Sequence, residues 1–85
     1  CNVQVVPHGW NTAVGLAADL QISAFLPNAR YVEYLTPCAY IEDLTAKPFQ
    51  LDSDGCLSIP DAPGLGFDVS EEGLKRFCPQ PIEFR

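Results

Sequence analysis

The sequence predicts an α/β fold, and three observations carry that expectation. Asn2 to Val6 is a short β-branched run closed by Pro7. A long apolar stretch with helical composition follows. Tyr31 to Tyr34 is a second short apolar run, bounded by Thr36 and Pro37. Strand, tight turn, helix, tight turn, strand is a βαβ unit. Parallel strands require a crossover of this length, and parallel sheets are usually covered on both faces.

Each element has a local reason. In the first strand, Val3, Val5 and Val6 have branched side chains that suit a pleated backbone, and Pro7 ends the run because it has no N–H to give a ladder. His8-Gly9-Trp10 is a turn. Asn11 or Thr12 is placed to cap the helix, since a short polar side chain accepts from the free N–H groups of a first turn. The helix is expected to run to about Leu26 and to stop before Pro27-Asn28. Val14, Leu16, Leu20, Ile22, Phe25 and Leu26 spread around most of its cylinder. Asp19, Gln21 and Ser23 form a narrow polar stripe. A helix that is apolar nearly all round is expected to be buried between layers.

The second half of the chain differs in character. Tyr40 to Ala46 is expected to form a short helix. Pro48–Leu51 and Cys56–Ile59 flank Asp52-Ser53-Asp54-Gly55, a turn sequence that predicts a hairpin. Pro60 to Gly66 is too rich in Pro and Gly for regular structure. Ser70, followed by Glu71 and Glu72, predicts a short capped helix to about Phe77, because the hydroxyl accepts from the first turn and the acids suit its dipole. Cys78 to Arg85 is expected to be extended.

Composition bounds the function. Hydrophobic residues make up 47% of the 85 residues. Between Val3 and Leu35 the charged residues are Asp19, Arg30 and Glu33 alone. Such a segment is expected to be covered on all sides, yet a domain this short buries only about 60–65% of its unfolded surface. With Cys1 at the start and no Met, the chain reads as a fragment, a cleavage product or one part of a split chain. The net charge is −6. Arg30, Lys47, Lys75, Arg76 and Arg85 are scattered, which argues against nucleic acid as a partner. No apolar run reaches the roughly 18 residues of a membrane span, and no signal peptide is visible. Cys1, Cys38, Cys56 and Cys78 form no CxxC pair, and His8 is the only histidine, so no zinc-type cluster is expected. The chain reads as a cytoplasmic protein with reduced cysteines; a disulfide framework is the alternative reading.

Two residues stand out chemically. His8 carries the side chain most easily poised to exchange protons near neutral pH, or it is a loop histidine satisfying a hydrogen bond. Glu33 interrupts an apolar strand, where a carboxylate must be paired or functional because burying a lone charge is very costly. It serves a site, or it reaches solvent or Arg30. Both lie toward the C-terminal ends of their strands, the edge at which α/β folds bind ligands. Trp10 and Asn11 follow His8; Trp10 is placed to wall a substrate pocket or simply to pack. Pro63-Gly64-Leu65-Gly66 lacks the spacing of a phosphate-binding loop and reads as a turn. Asp52, Asp54 and Asp61 lack the later ligands of a calcium loop, so turn chemistry accounts for them better.

Three stretches together resemble a known family: Val5-Val6-Pro7-His8-Gly9-Trp10-Asn11-Thr12 with Gly15-Leu16-Ala17-Ala18, then Asn28-Ala29-Arg30-Tyr31-Val32-Glu33-Tyr34, then Ile59-Pro60-Asp61 with Pro63-Gly64-Leu65-Gly66. In order and spacing the chain is similar, from about Val3 to Phe77, to the C-terminal part of mandelate racemase/muconate lactonizing enzymes of the enolase superfamily, in particular to the mandelate racemase-like branch. The resemblance implies a TIM-like (β/α)-barrel. Residues 1–37 would be the end of the barrel domain, comprising the seventh strand, a helix and the last strand. Residues 38–85 would be the C-terminal segment, comprising the last barrel helix region and the return to an α+β capping domain.

The same resemblance implies that His8 is the general base or acid that handles the proton α to a carboxylate. It implies that Glu33 hydrogen-bonds a carboxylate oxygen of the substrate as charge develops there. Trp10 and Asn11 would line the substrate pocket. Mg²⁺ would stabilise the enediolate from acidic ligands upstream of Cys1, where the histidine's aspartate partner and any lysine base would also lie. The expected reaction is dehydration of an acid sugar, and racemisation or epimerisation of a 2-hydroxy acid is the alternative. Expected partners are the rest of the same enzyme, a small carboxylate substrate and, when intact, further copies in a homo-oligomer. The chain alone is expected to be inactive. Competing with this are a small non-catalytic acidic binding module and a remnant of the family that has lost activity.

Overall fold

A computed structural model describes residues 2–9 and 12–80. Three helices follow in order: α1 (Ala13–Phe25), α2 (Ala39–Glu42) and α3 (Glu71–Phe77). The Thr36–Pro37 peptide bond, between α1's half of the chain and α2's, is cis.

The segments on either side of α1 run side by side. Val5 N–H donates to Asn28 O at 3.1 Å, and Glu33 N–H donates to Pro7 O at 3.0 Å. The residue numbers rise together on both sides, as a parallel pair requires. The Asn28 side-chain amide also donates to the Val3 carbonyl. The expected strands Asn2–Val6 and Tyr31–Tyr34 nevertheless form no regular ladder among the described residues. Each has the other as its neighbour on one edge only, and a lone strand pair is marginal in water.

Helix α1 begins and ends close to its expected bounds. Thr12 is the N-cap residue, but its hydroxyl makes no capping bond. Asn11, the other capping candidate, lies outside the described residues. One face of α1 is buried: Ala13, Leu16, Ala17 and Leu20, the last only 2% exposed. Ile41 of α2 and Leu44 just after it complete this core. Fully burying one such leucine or isoleucine stabilises by roughly 1.5–3 kcal/mol, so this cluster holds the first two helices together.

The expectation that α1 would be covered all round is not met. Val14 and Ile22 are about half exposed and Phe25 is 84% exposed. The described residues bury the face of α1 that holds Ala13, Leu16, Ala17 and Leu20, and the apolar residues on its far side stay half or more exposed.

Beyond Leu44 the chain is held by short antiparallel pairings. Thr45 bridges Val69, flanked by Ala46 N–H to Asp68 O and Ser70 N–H to Leu44 O, both at 2.8 Å. The predicted hairpin contracts to one bridge, Leu51 with Leu57. Its turn is closed by Asp52, whose Oδ1 accepts from Asp54 N–H at 2.8 Å and Cys56 N–H at 3.0 Å. Gly55 supplies the left-handed residue there, at φ 77°. The short helix expected over Tyr40–Ala46 is a single turn, Ala39–Glu42. Beyond it the backbone is taken up by the pairing of Thr45 with Val69.

Helix α3 follows the sequence closely. The Ser70 hydroxyl accepts from Gly73 N–H at 3.2 Å. Gly73 is buried against the Asp43 backbone so tightly that a Cβ there would lie 1.9 Å from the Asp43 carbonyl oxygen. Arg76 Nη1 reaches Asp43 Oδ2 at 2.7 Å, and the Tyr40 and Phe77 rings meet at 4.8 Å. The Pro60–Gly66 loop is irregular, as expected, and is tied to α1 by Gln21, whose amide donates to Pro60 O and Leu65 O at 3.3 and 3.4 Å.

Candidate active site

The backbone bond from Glu33 N–H to Pro7 O sets residue 33 beside residue 8. Their side chains then meet: His8 Nδ1 lies 2.9 Å from Glu33 Oε2, and both side chains are about half exposed. An imidazole that donates from Nδ1 to a carboxylate has, in its neutral form, Nε2 as its accepting nitrogen. The pair therefore fixes the ring's orientation and its tautomer while remaining within reach of solvent. This geometry suits proton exchange with a bound molecule, because a general base needs a defined lone pair and a partner for the charge it acquires.

The Glu33 carboxylate pairs with His8 rather than with Arg30, and about half of its side chain still faces solvent. Side-chain pairing across two segments depends on their register, which residue types alone do not set. Trp10 and Asn11, expected to line a substrate pocket, lie outside the described residues.

Two polar residues near the pair were not singled out as site residues. Thr12 and Asp19 line a small cavity with His8 and Glu33. The available signal was helical periodicity, since positions 12, 16 and 19 fall on one flank of a helix, with Leu16 buried between the polar pair. Among the described residues no group of three His, Cys, Asp or Glu side chains is placed to hold a metal ion. The two readings of turns hold. Asp52 spends its carboxylate on backbone N–H groups. Gly64 and Gly66 adopt φ of 69° and 81°, and the Gly66 backbone lies against Pro60. No helix among the described residues is long and apolar enough to cross a membrane.

Residues 1–73, which include both members of the pair, match the family described as "Enolase C-terminal domain-like". The chain belongs to the enolase superfamily. Two curated relatives agree. The chain is 36% identical, over an alignment of 89 residues covering 93% of its length, to D-galactarolactone cycloisomerase of Agrobacterium fabrum. It is 33% identical over 66 residues, 76% of its length, to muconate cycloisomerase 1-1 of Acinetobacter lwoffii. The chain spans 23% of the first relative and 17% of the second. Membership in the superfamily implies that the paired segments and α1 are part of a (β/α)-barrel.

Proposed function

We propose that, in the intact enzyme, His8 exchanges a proton with the carbon α to a substrate carboxylate, and that Glu33, beside its imidazole, hydrogen-bonds an oxygen of that carboxylate as charge develops there. The observation that carries this reading is the 2.9 Å contact between His8 Nδ1 and Glu33 Oε2 at the ends of two adjacent extended segments. As base, His8 accepts the α proton; the C–H electron pair moves into the carboxylate to form an enediolate. The imidazolium so formed lies beside the Glu33 side chain. As acid, His8 returns a proton to the departing oxygen or to carbon. Positioned acid–base groups contribute about 10²–10⁴-fold in rate.

The described residues do not form a metal site. On this reading Mg²⁺, held by acidic side chains outside this chain, supplies positive charge to the substrate carboxylate. Residues 1–37 form the end of the barrel domain and residues 38–85 the return toward a capping domain. The isolated chain is inactive, and metal-dependent turnover by the purified polypeptide overturns that point.

The substrate class is an acid sugar or its lactone. A lactone of an acid sugar that keeps one free carboxylate has a proton α to it and an oxygen on the β carbon. Removing the proton and breaking the β C–O bond is the same elimination as dehydration. The leaving oxygen is then the ring ester's carboxylate rather than hydroxide. The name of the cycloisomerase relative supports this class. The test is the intact enzyme with Mg²⁺ on a panel of acid sugars and their lactones. Elimination is expected, slowed when the α position carries deuterium and lost in His8→Asn. Turnover that keeps the β oxygen and inverts the α carbon replaces this reading with a racemase. Full activity of His8→Asn refutes the role of His8.

A further inference from the structure

The polar stripe of α1 has one member that reaches across the molecule. Ser23 turns its hydroxyl back to the Asp19 carbonyl oxygen at 2.8 Å. Gln21, half-buried, instead sends its side-chain Nε2 to two carbonyls of a distant loop, Pro60 O at 3.3 Å and Leu65 O at 3.4 Å. A carboxamide nitrogen has two hydrogens, so one side chain serves both ends of the loop at once. The loop is shaped to present those ends together. Pro60 and Pro63 have a fixed φ, and Gly64 and Gly66 are left-handed, at φ 69° and 81°. Gly66 N–H donates to Pro63 O at 3.3 Å, and a Cβ on Gly66 would lie 2.6 Å from Pro60 Cβ. The two ends therefore touch, as in a compact Ω-type loop. Asp61 to Gly64 are exposed. Pro60, Ala62 and Gly66 also border a half-open hollow of about 530 Å³ with Phe49, Leu57 and Phe67.

We propose that residues 60–66 are a strap and that Gln21 is its latch, closing the loop into a ring and docking it on α1. Each end of the ring offers one carbonyl to the same nitrogen, so the two bonds hold the ends to each other as well as to the helix. The hollow beside the loop gives it space to open into. A hydrogen bond of this kind shifts such an equilibrium roughly 2–10-fold, and the two act together on one opening. The rest of the fold does not depend on them: α1 packs through Leu16 and Leu20, and α3 is held at Asp43. Release of the latch is therefore a local event, of the kind that leaves the remaining elements folded. The latch joins the stretch after α2 to the helix that follows His8, so the strap is a releasable joint between the two halves of the chain.

Hydrogen exchange of the intact enzyme without substrate tests the latch independently of the role of His8. Gln21→Glu keeps the size of the side chain but, ionised at neutral pH, has no hydrogen to donate. Gln21→Leu removes the polar group altogether. In both variants the Gly66 amide is expected to exchange about 10–30-fold faster than in the parent, with peptides from α1 and α3 at parental rates. Cleavage of the native enzyme by thermolysin before Leu65 should speed up in parallel. Parental exchange at Gly66 in Gln21→Glu overturns the latch, because the side chain then acts by its bulk. Equal acceleration across the loop, α1 and α3 overturns it too, because the fold as a whole has then weakened. Gly66→Ala opens the ring from its other side with Gln21 and α1 intact, and decides the matter if neither Gln21 variant folds. Faster cleavage before Leu65 is expected there, and resistance equal to the parent's overturns the strap.

Discussion

Helix α1 has 13 residues, no side-chain cap, no acid in its first turn and no base in its last. Helix α3 has 7 residues and carries all three devices: the Ser70 cap, Glu71 and Glu72 at the start, Lys75 and Arg76 at the end. The contrast separates two ways of specifying a helix. In α3 the local groups satisfy free N–H donors and oppose the backbone dipole, so the element is written into its own sequence. In α1 those devices are absent, and order comes from one apolar face, Ala13, Leu16, Ala17 and Leu20, packed toward Ile41 and Leu44. The half of the chain that depends on packing is also the half that holds His8 and Glu33. A site that must join distant residues is carried by the element whose position tertiary contacts decide.

Substitutions can break that contrast, the largest effect being at the site itself. His8→Asn should lower kcat of the intact enzyme by about 10²–10⁴-fold, while changes in α3 should leave turnover at parental levels in a steady-state assay. Next is the α1 core. Leu20→Ala removes the largest fully buried side chain and should cost about 3 kcal/mol in chemical denaturation. A loss below 1 kcal/mol would show that α1 does not depend on this face.

Gly73→Ala tests the one place where α3, too, depends on a neighbour. A Cβ cannot sit 1.9 Å from the Asp43 carbonyl oxygen, so the helix must move away. Overpacking of this kind costs about 2 kcal/mol, despite alanine's better helix propensity. If the variant is more stable in urea, the close approach of α3 to Asp43 is wrong. Ser70→Ala should cost about 1 kcal/mol through the lost cap, whereas Thr12→Ala, at a position whose hydroxyl does not cap, should cost much less. Similar losses at both positions would erase the distinction between the helices. The smallest effect is expected at Arg76. Its ion pair with Asp43 is well over half exposed on the arginine side, so Arg76→Gln should change stability by less than about 1 kcal/mol, and less again at high salt.

Local chemistry in the sequence determined a good deal: the bounds of α1, the capped start of α3 at Ser70, the turn at Asp52 to Gly55 and the irregular Pro60–Gly66 loop. Each depends on residues within a few positions of one another, such as a proline that cannot donate or a hydroxyl three residues from the N–H it accepts. Family motifs around His8 and Glu33 placed the chain in its superfamily. Only the tertiary structure decided three further matters. Glu33 has His8 as its partner because the bond from its N–H to Pro7 O sets the register of two segments separated by a whole helix. Thr12 and Asp19 join that pair because one flank of α1 faces it. The segments that hold the two apolar runs share two backbone bonds, Val5 to Asn28 and Glu33 to Pro7, rather than a full ladder, because a lone pair of strands is marginal and further neighbours are not a property of any short run of residues.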